Sequence, residues 1–325
     1  EIMSNVSSNQ VSPCKCQSDI LIEIESLVKT IMERGSPYLP GWTESQRRDC
    51  CDEMLTQISS LLGFYEPGHE VSEHIIAFWE ACERVGLLHC GSPTAKSREL
   101  FSPGNNSIPV IEQLSQWILH VAYGKEFQRR AYDRVYQQEQ KRFRLENYSR
   151  SVLAKYARTL VLRVDFGYRK GAMVDIADVY FHLDRLLTLI RKRLGIFQNL
   201  VGYAVCVEQG VTRGYHLHFA LFLPGHLHQR DGYLVKQLGE LWNQISDGLG
   251  VHHSCNAEKR KYEAMGKRGV GMIHRDNDLE LDNSVEAVGY LANPEKEDQH
   301  LRMKPAGRRT FATGIIANYY QSGVI

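Results

Sequence analysis

The strongest constraint on the fold is a change of sequence pattern near residue 155. Before that point, apolar residues recur at three- and four-residue spacings, as in amphipathic helices, and residues 1–105 contain no run that alternates apolar and polar residues. After it, TLVLRVDFGY at 159–168, LVGYAVCVEQG at 200–210 and GYHLHFALFLPG at 214–225 have the texture of strands. Helices are therefore expected first and a sheet afterwards.

The order of the later elements predicts the fold class. The strand at 159–168 is followed by an amphipathic helix at 176–195, by the two strands joined through a short turn, and by a helix at 232–250. This order predicts an α+β fold with an antiparallel sheet, not a parallel doubly wound one. A looser region reaches to about residue 274, and one more helix is expected at 283–293.

Three segments are predicted from these patterns. They are a helical N-terminal domain at 1–105, a basic helical connector at 106–154 and a sheet domain flanked by helices at 155–325. Within the first, helices are expected near 19–34, 44–63 and 71–85. SPGNNSIP at 102–109 is dense in Pro, Gly and Asn and predicts a loop.

Charge is strongly segregated although the net charge is only +1. Residues 125–170 carry 13 basic and 5 acidic side chains, whereas residues 1–124 carry 8 basic and 16 acidic ones. Such a basic segment favours a surface that contacts phosphates, with a solvated helix face as the alternative.

Cysteine spacing and hydropathy exclude several classes of protein. The eight cysteines form no CxxC pair, which argues against a zinc ribbon and against a thioredoxin-like motif. Reduced thiols are expected, with a zinc cluster of Cys14, Cys16, Cys50 and Cys51 as the alternative. No stretch approaches the roughly 18 uncharged apolar residues of a membrane helix, so a soluble, cytoplasmic protein without membrane contact is expected.

His216 and His218 form the first candidate site. Side chains alternate along a strand, so both imidazoles project from one face about 7 Å apart at the backbone, as an exposed pair. If Gln209 pairs with Arg213 across the turn, Glu208 lies on the same face, one diagonal step away. A four-residue turn would send Glu208 to the opposite face. Two histidines and one carboxylate suit a divalent ion that keeps open positions for substrate.

A second candidate lies on the last predicted helix. Asp282, Asn283 and Ser284 form a cap-like start, and Pro294 ends the helix. Val285, Val288 and Leu291 or Ala292 would form its buried stripe. Tyr290 would then lie on a more polar side, with Glu286 and Asn293, and could face a cleft.

These residues carry a resemblance to a known family. A strand that ends in Glu-Gln-Gly, a turn, the HLH of residues 216–218 and a later helix with Tyr-Leu-Ala resemble, in this order, the HUH endonuclease superfamily. More narrowly, the sequence is similar to the inovirus-type replication initiators and their chromosomal YagK/YfjJ-like relatives in RTLVLRVDFGY, CVEQG, GYHLHFALF, GYLANPEK and the GRRTFATG run at 307–314. The resemblance covers roughly residues 155–316, about half of the chain.

The resemblance implies a palm-like antiparallel sheet that holds Mg²⁺ or Mn²⁺ on His216, His218 and Glu208. It also implies that Tyr290 attacks a DNA phosphate, which leaves a 5′-phosphotyrosine and a free 3′-hydroxyl during rolling-circle replication of a mobile element. Single-stranded DNA and duplex origin DNA would be the partners, with host replication proteins as further ones, in the cytoplasm of a prokaryotic cell.

The chain departs from the family at one position. The tyrosine helix commonly reads Tyr-x-x-Lys, whereas Asn293 stands at the lysine position here. A cation for the phosphate would then come from Lys296, Lys304 or an arginine. Reduced or absent cleavage is one consequence, so a DNA-binding regulator on the same fold is an alternative function. A metal-dependent hydrolase that uses water as nucleophile is another.

Four basic residues are candidates for contact with nucleic acid. Lys304, Arg308 and Arg309 belong to or precede the GRRTF run and could contact phosphates beside the site, with a solvated turn as the alternative. Arg163 and Asp165 alternate with apolar residues in the first strand, so both are expected on the cleft side. A structural salt bridge is the alternative role for Asp165.

Overall fold

The computed structural model describes residues 15–35, 43–62, 64, 66–100, 108–292 and 299–314. Its α-helices are α1 (Gln17–Arg34), α2 (Glu44–Leu61), α3 (Glu73–Arg84), α4 (Ala95–Leu100), α5 (Ile108–Ala122), α6 (Lys125–Leu153), α7 (Ile176–Arg191), α8 (Asp231–Ile245), α9 (Lys259–Ala264) and α10 (Asp278–Gly289). Its strands are β1 (His69–Val71), β2 (Leu88–His89), β3 (Ser92–Pro93), β4 (Arg158–Tyr168), β5 (Gly202–Gly210), β6 (Gly214–Pro224), β7 (Gly250–Ser254), β8 (Gly271–His274), β9 (Met303–Pro305) and β10 (Phe311–Thr313).

The central sheet has six strands, and every pair in it is antiparallel. The strand order is β10-β5-β6-β4-β7, and β8 pairs with another part of β4. The predicted α+β class, with helices first and an antiparallel sheet afterwards, is confirmed. The long strand β4 lies between β6 on one side and β7 and β8 on the other, so its residues are central to both faces.

One face of the sheet is mainly apolar. Leu160, Leu162, Val164 and Phe166 alternate along β4, and they belong to the same buried cluster as the apolar stripes of α7 and α8. This alternation is the period-two pattern of a strand with one face against helices. The cluster also includes residues of α1, α3 and α5, so the apolar core is continuous from the N-terminal helices to the sheet.

The opposite face is divided. Near one end, Val161, Ala204, Ala220 and Phe222 pack against apolar residues of α6 and α10. Towards the β5–β6 hairpin, the same face carries ionisable side chains instead. The helices α6 and α10 pack on the apolar part, so the polar part is the place on this face for a candidate site.

Hydrogen bonds also connect the N-terminal helices to the sheet region. The side-chain oxygen of Gln17 accepts from the hydroxyl of Tyr215 and from the backbone N–H of Ile176, both at 2.7 Å. The strand β1 pairs with β9, which lies more than 200 residues later. The predicted boundary at residue 105 stays a prediction, and the predicted loop at 102–109 lies largely outside the described residues.

Two sequence-based expectations about elements were wrong. The looser region before residue 274 contains β7, α9 and β8, because β7 and β8 are held by backbone pairing with β4 and not by an apolar pattern of their own. Residues Val251, His252 and His253 of β7 are exposed. The helix expected at 283–293 begins at Asp278 instead, where the side chain of Asn277 accepts from the N–H of Glu280.

Candidate metal centre and tyrosine

The β5–β6 hairpin places Glu208 directly opposite His216, and Cys206 opposite His218. The predicted register was wrong, because Gln209 pairs with Tyr215 and not with Arg213. Gly214 adopts a positive φ of 60°, which glycine tolerates at no steric cost and which closes the turn one residue later than expected. The shift keeps the parity of the pairing, so Glu208 remains on the histidine face as predicted.

Both histidines are buried, contrary to the expectation of an exposed pair. His216 is 1% exposed and His218 is 2% exposed. Space for the first ring depends on a neighbouring glycine, because a Cβ atom at Gly210 would lie 3.3 Å from Cε1 of His216. The two rings are perpendicular, with centroids 4.8 Å apart.

Each histidine is oriented through its Nδ1 atom. In His216, Nδ1 lies 2.9 Å from the carbonyl oxygen of Gly214. In His218, Nδ1 lies 2.6 Å from a carboxylate oxygen of Asp165. Both acceptors require an N–H at Nδ1, so each ring in its neutral form carries its lone pair on Nε2, and this is the arrangement found behind metal-bound histidines.

The two Nε2 atoms converge on Glu208. Its Oε2 atom lies 2.9 Å from Nε2 of His218 and 3.7 Å from Nε2 of His216. One ligand atom from each of these three residues lies within 4.8 Å of the others. In the described part of the chain, this is the group of three His, Cys, Asp or Glu residues that could hold a metal ion.

The donor set fits a cation on independent grounds. Among the described residues, Nε2 of His216 is buried without a hydrogen-bond partner, which is unfavourable unless a ligand satisfies it. Burial alone would lower the pKa of His218, but hydrogen bonds to Asp165 and Glu208 outweigh it and raise that pKa. The surroundings of the His218 ring therefore favour positive charge, whether from a proton or from a metal ion.

Asp165 is a residue whose role the sequence left open. Burial would raise the pKa of its carboxyl group, but His218, Arg163 and Arg213 outweigh burial and hold that pKa far below its usual value. The other oxygen of Asp165 accepts from both terminal nitrogens of Arg213 at 3.2 Å. Asp165 thus stays ionised and fixes the ring of His218.

Tyr290 begins a 3-10 turn, Tyr290–Ala292, that continues α10. The predicted stripe is confirmed, since Val285, Val288, Leu291 and Ala292 are buried against the sheet, whereas Tyr290 is 45% exposed. These four residues belong to the cluster on the divided face of the sheet. Tyr290 therefore lies on the same side of the sheet as the two histidines.

Arg163 connects the tyrosine to the metal centre. Its guanidinium carbon lies 5.3 Å from the centroid of the Tyr290 ring. Arg163 and Asp165 are two residues apart on β4, which corresponds to about 7 Å along the strand. Tyr290 thus stacks on Arg163. On this face of β4, the neighbour of Arg163 is Asp165, whose carboxylate orients His218. Asn293 and Lys296 lie outside the described residues.

The remaining predicted DNA contacts divide between two places. Lys304 forms an ion pair with Glu70 on β1 and lines a cavity that also reaches Glu208. Arg308 is directed to α7, where it binds Asp184 at 2.7 Å and lies over the ring of Tyr180. Arg309 is exposed, and its carbonyl oxygen accepts from the hydroxyl of Tyr180. The structure does not bring Arg308 to the metal centre.

The helix α6, which contains most of the basic segment, has two different faces. Arg130, Arg134 and Lys141 face a cavity of about 320 Å³, which also exposes Glu208 and Cys206. The outer face carries Tyr132, Tyr136 and Phe143, which are 70%, 50% and 60% exposed. The first two rings stack at 6.4 Å with an angle of 9°. The sequence pattern identifies Lys141 only as one residue of the basic segment and does not predict its location at this cavity.

Other predictions concern cysteines and membranes. Cys16, Cys51, Cys82, Cys90, Cys206 and Cys255 are free thiols, while Cys14 lies outside the described residues. Among the described helices, none has the length and apolar character that crossing a bilayer requires.

Comparisons of the chain with family models, curated proteins and solved structures found no match. The functional interpretation therefore depends on the geometry of the centre and on the motifs of the sequence.

Proposed function

We propose that the protein is a metal-dependent enzyme that nicks and rejoins single-stranded DNA, of the HUH replication-initiator type. One observation carries the proposal: Nε2 of His216 and Nε2 of His218 converge on Glu208, and Tyr290 lies on the same side of the sheet. A regulator that only binds DNA has no need for such a buried ligand set on the same side of the sheet as an accessible phenol.

The ligand set defines what the metal would do. His216, His218 and Glu208 would hold a divalent ion, and Mg²⁺ or Mn²⁺ is proposed from the family resemblance. When bound, such an ion offsets the negative charge of a phosphodiester and fixes its geometry. Asp165 orients His218 for this role, as carboxylates commonly do for metal-bound histidines.

The chemistry at Tyr290 is a transfer of the phosphoryl group. The phenol oxygen forms a bond to phosphorus, the bond between phosphorus and the 3′ oxygen breaks, and the 3′ oxygen takes up a proton while the phenol loses one. The 5′ phosphate then remains on the tyrosine, so the energy of the broken bond is kept for rejoining and no ATP is needed. Arg163 places positive charge at the ring where the attacking oxygen becomes negative.

The test is the covalent adduct itself. We incubate the protein with a pool of single-stranded oligonucleotides of random sequence and Mn²⁺, and then run a denaturing protein gel. A slower band is expected for the wild type and for Tyr233→Phe, whose exposed ring lies on α8 at the opposite face. The band is expected to vanish in Tyr290→Phe, which lacks only the attacking oxygen.

Two results would contradict the proposal and identify the alternatives. DNA binding without any adduct, in several divalent metals, would indicate a DNA-binding regulator. Cleavage that produces no adduct and persists in Tyr290→Phe would indicate a hydrolase whose nucleophile is water.

A further inference from the structure

Lys141 lies on the inner face of α6 with its side chain enclosed. Its Nζ atom donates a hydrogen bond to Oγ1 of Thr310 at 2.7 Å. Both residues line the cavity of about 320 Å³ that also exposes Glu208. The ammonium group is therefore located where the metal centre opens towards α6.

Lys141 forms no ion pair with a carboxylate among the described residues. Three other cations line the same cavity, and each has a partner: Arg130 binds Glu126 and Arg134 binds Glu73, both at 2.9 Å, and Lys304 binds Glu70. For Lys141, the described part of the chain offers a threonine hydroxyl but no carboxylate within 4.0 Å. Burial lowers the pKa of this lysine, an effect that Cys206 and Glu208 oppose. A partly desolvated ammonium that forms no direct ion pair favours binding of an anion.

Two further polar atoms in the cavity lack partners. Among the described residues, Oε1 of Gln138 and one terminal nitrogen of Arg134 are buried without a hydrogen bond. Both residues are on α6, and both line the cavity. The residues that line this space thus supply one cation, one donor and one acceptor, which suits a ligand with phosphate oxygens and amino groups, such as a nucleotide.

We propose that the cavity between α6 and residues 299–310 is a subsite for the single strand, in which Lys141 binds a backbone phosphate adjacent to the one that is cleaved. The inference rests on the proposed function for its choice of substrate. Glu208 both belongs to the metal ligand set and lines the cavity, so a strand whose scissile phosphate is at the metal centre can continue directly into this space. Lysine suits the task as a point charge with three donors.

The test measures strand binding without metal and without cleavage. Every protein carries Tyr290→Phe, the buffer contains EDTA, and the probe is a fluorescent oligothymidine whose anisotropy is followed at several salt concentrations. Lys141→Gln is expected to bind about 10-fold more weakly and to lose about 0.7 from the slope of log affinity against log salt, the value for one phosphate contact on a single strand. Lys141→Arg is expected to restore the slope.

Two matched variants separate this role from a structural one. Lys192→Gln removes an exposed lysine just after α7, on the opposite face of the sheet, and is expected to leave the slope unchanged. Thr310→Val removes the hydrogen bond to Lys141 but keeps the charge, so it is also expected to keep the slope.

The outcomes of this test and of the adduct test are distinct. An unchanged slope in Lys141→Gln would overturn the subsite, even if the wild type forms the phosphotyrosine adduct. A slope lost equally in Lys141→Gln and Thr310→Val would also overturn it, because the effect would then reflect altered packing. A slope lost only in Lys141→Gln supports the subsite, even if no adduct forms and the nicking proposal fails.

Discussion

Neighbouring residues of β6 point to opposite faces of the sheet, and both faces are buried there for different reasons. Leu217 is fully buried in the apolar cluster with α7 and α8. His216 and His218 are almost equally buried on the other face, among Asp165 and Glu208. Burial on the apolar face removes hydrophobic surface from water, whereas burial on the other face must be offset by specific partners.

Of these two buried surfaces, the polar one contains a nitrogen atom that lacks a partner among the described residues. The side chain of Leu217 needs only apolar neighbours. The alternating apolar residues of β4 and the apolar stripes of the helices supply them. On the polar face, Nδ1 of each histidine has an acceptor, but Nε2 of His216 has none among the described residues. The unsatisfied atom faces the carboxylate of Glu208, which is where a cation would lie.

The largest effects are expected from replacing one residue on each face of β6. His216→Ala is expected to abolish the response of thermal stability to Mn²⁺, because one of three ligands is lost. In the wild type, Mn²⁺ at 100 times its dissociation constant should add about 2.7 kcal/mol to the free energy of unfolding. Leu217→Ala should keep that response but lose about 2–5 kcal/mol of stability through the cavity it creates.

Denaturant unfolding with and without Mn²⁺ measures both effects in the same experiment. If Mn²⁺, Mg²⁺ and Zn²⁺ all leave the free energy of unfolding of the wild type unchanged, the three residues do not form a metal centre. An equal response in His216→Ala would place any bound metal elsewhere.

His218 is expected to differ from His216 when no metal is present. It forms hydrogen bonds with Asp165 at 2.6 Å and with Glu208 at 2.9 Å, so His218→Ala leaves two carboxylates without this partner. Breaking a buried ion pair from one side costs about 3–5 kcal/mol. His216→Ala breaks one hydrogen bond to a carbonyl and should cost less in EDTA. Equal losses in urea unfolding would contradict this difference.

Asp165→Asn tests the residue that holds the ring of His218 from behind, and it changes the side chain less than an alanine substitution does. The amide keeps the shape of the side chain but removes the charge that orients His218 and favours a cation. Loss of such a partner commonly weakens metal affinity 10–100-fold. Calorimetric titration with Mn²⁺ gives the affinity directly. Asp178→Asn, at the start of α7, is the matched control and should leave the affinity unchanged.

Much of the site could be predicted because it depends on strand parity. The face shared by His216, His218 and Glu208 follows from period-two alternation. The predicted turn was placed one residue too early, but this error did not change which side chains share the face. The buried stripe of the tyrosine helix followed in the same way from helical periodicity. Local periodicity is therefore enough to say which side chains share a surface.

Contacts between distant segments could not be predicted in this way. Asp165 precedes His218 by 53 residues, and Lys141 precedes Thr310 by 169. No spacing rule connects such pairs, because they meet only once the sheet and α6 have packed. The burial of the histidines was missed for the same reason. β7 was missed because its pairing with β4 uses backbone groups, while three of its side chains remain exposed.

The smallest expected effect concerns the link between Tyr290 and the metal centre. Arg163→Gln removes the cation that lies over the phenol ring, an interaction worth about 0.5–1 kcal/mol at an exposed site, so the adduct should form about two- to five-fold more slowly at saturating DNA. Arg158→Gln, at the exposed start of the same strand, should not change the rate. An unchanged rate in Arg163→Gln, with Mn²⁺ affinity intact, would mean that the arginine only packs against the ring and that attack depends on the metal centre alone.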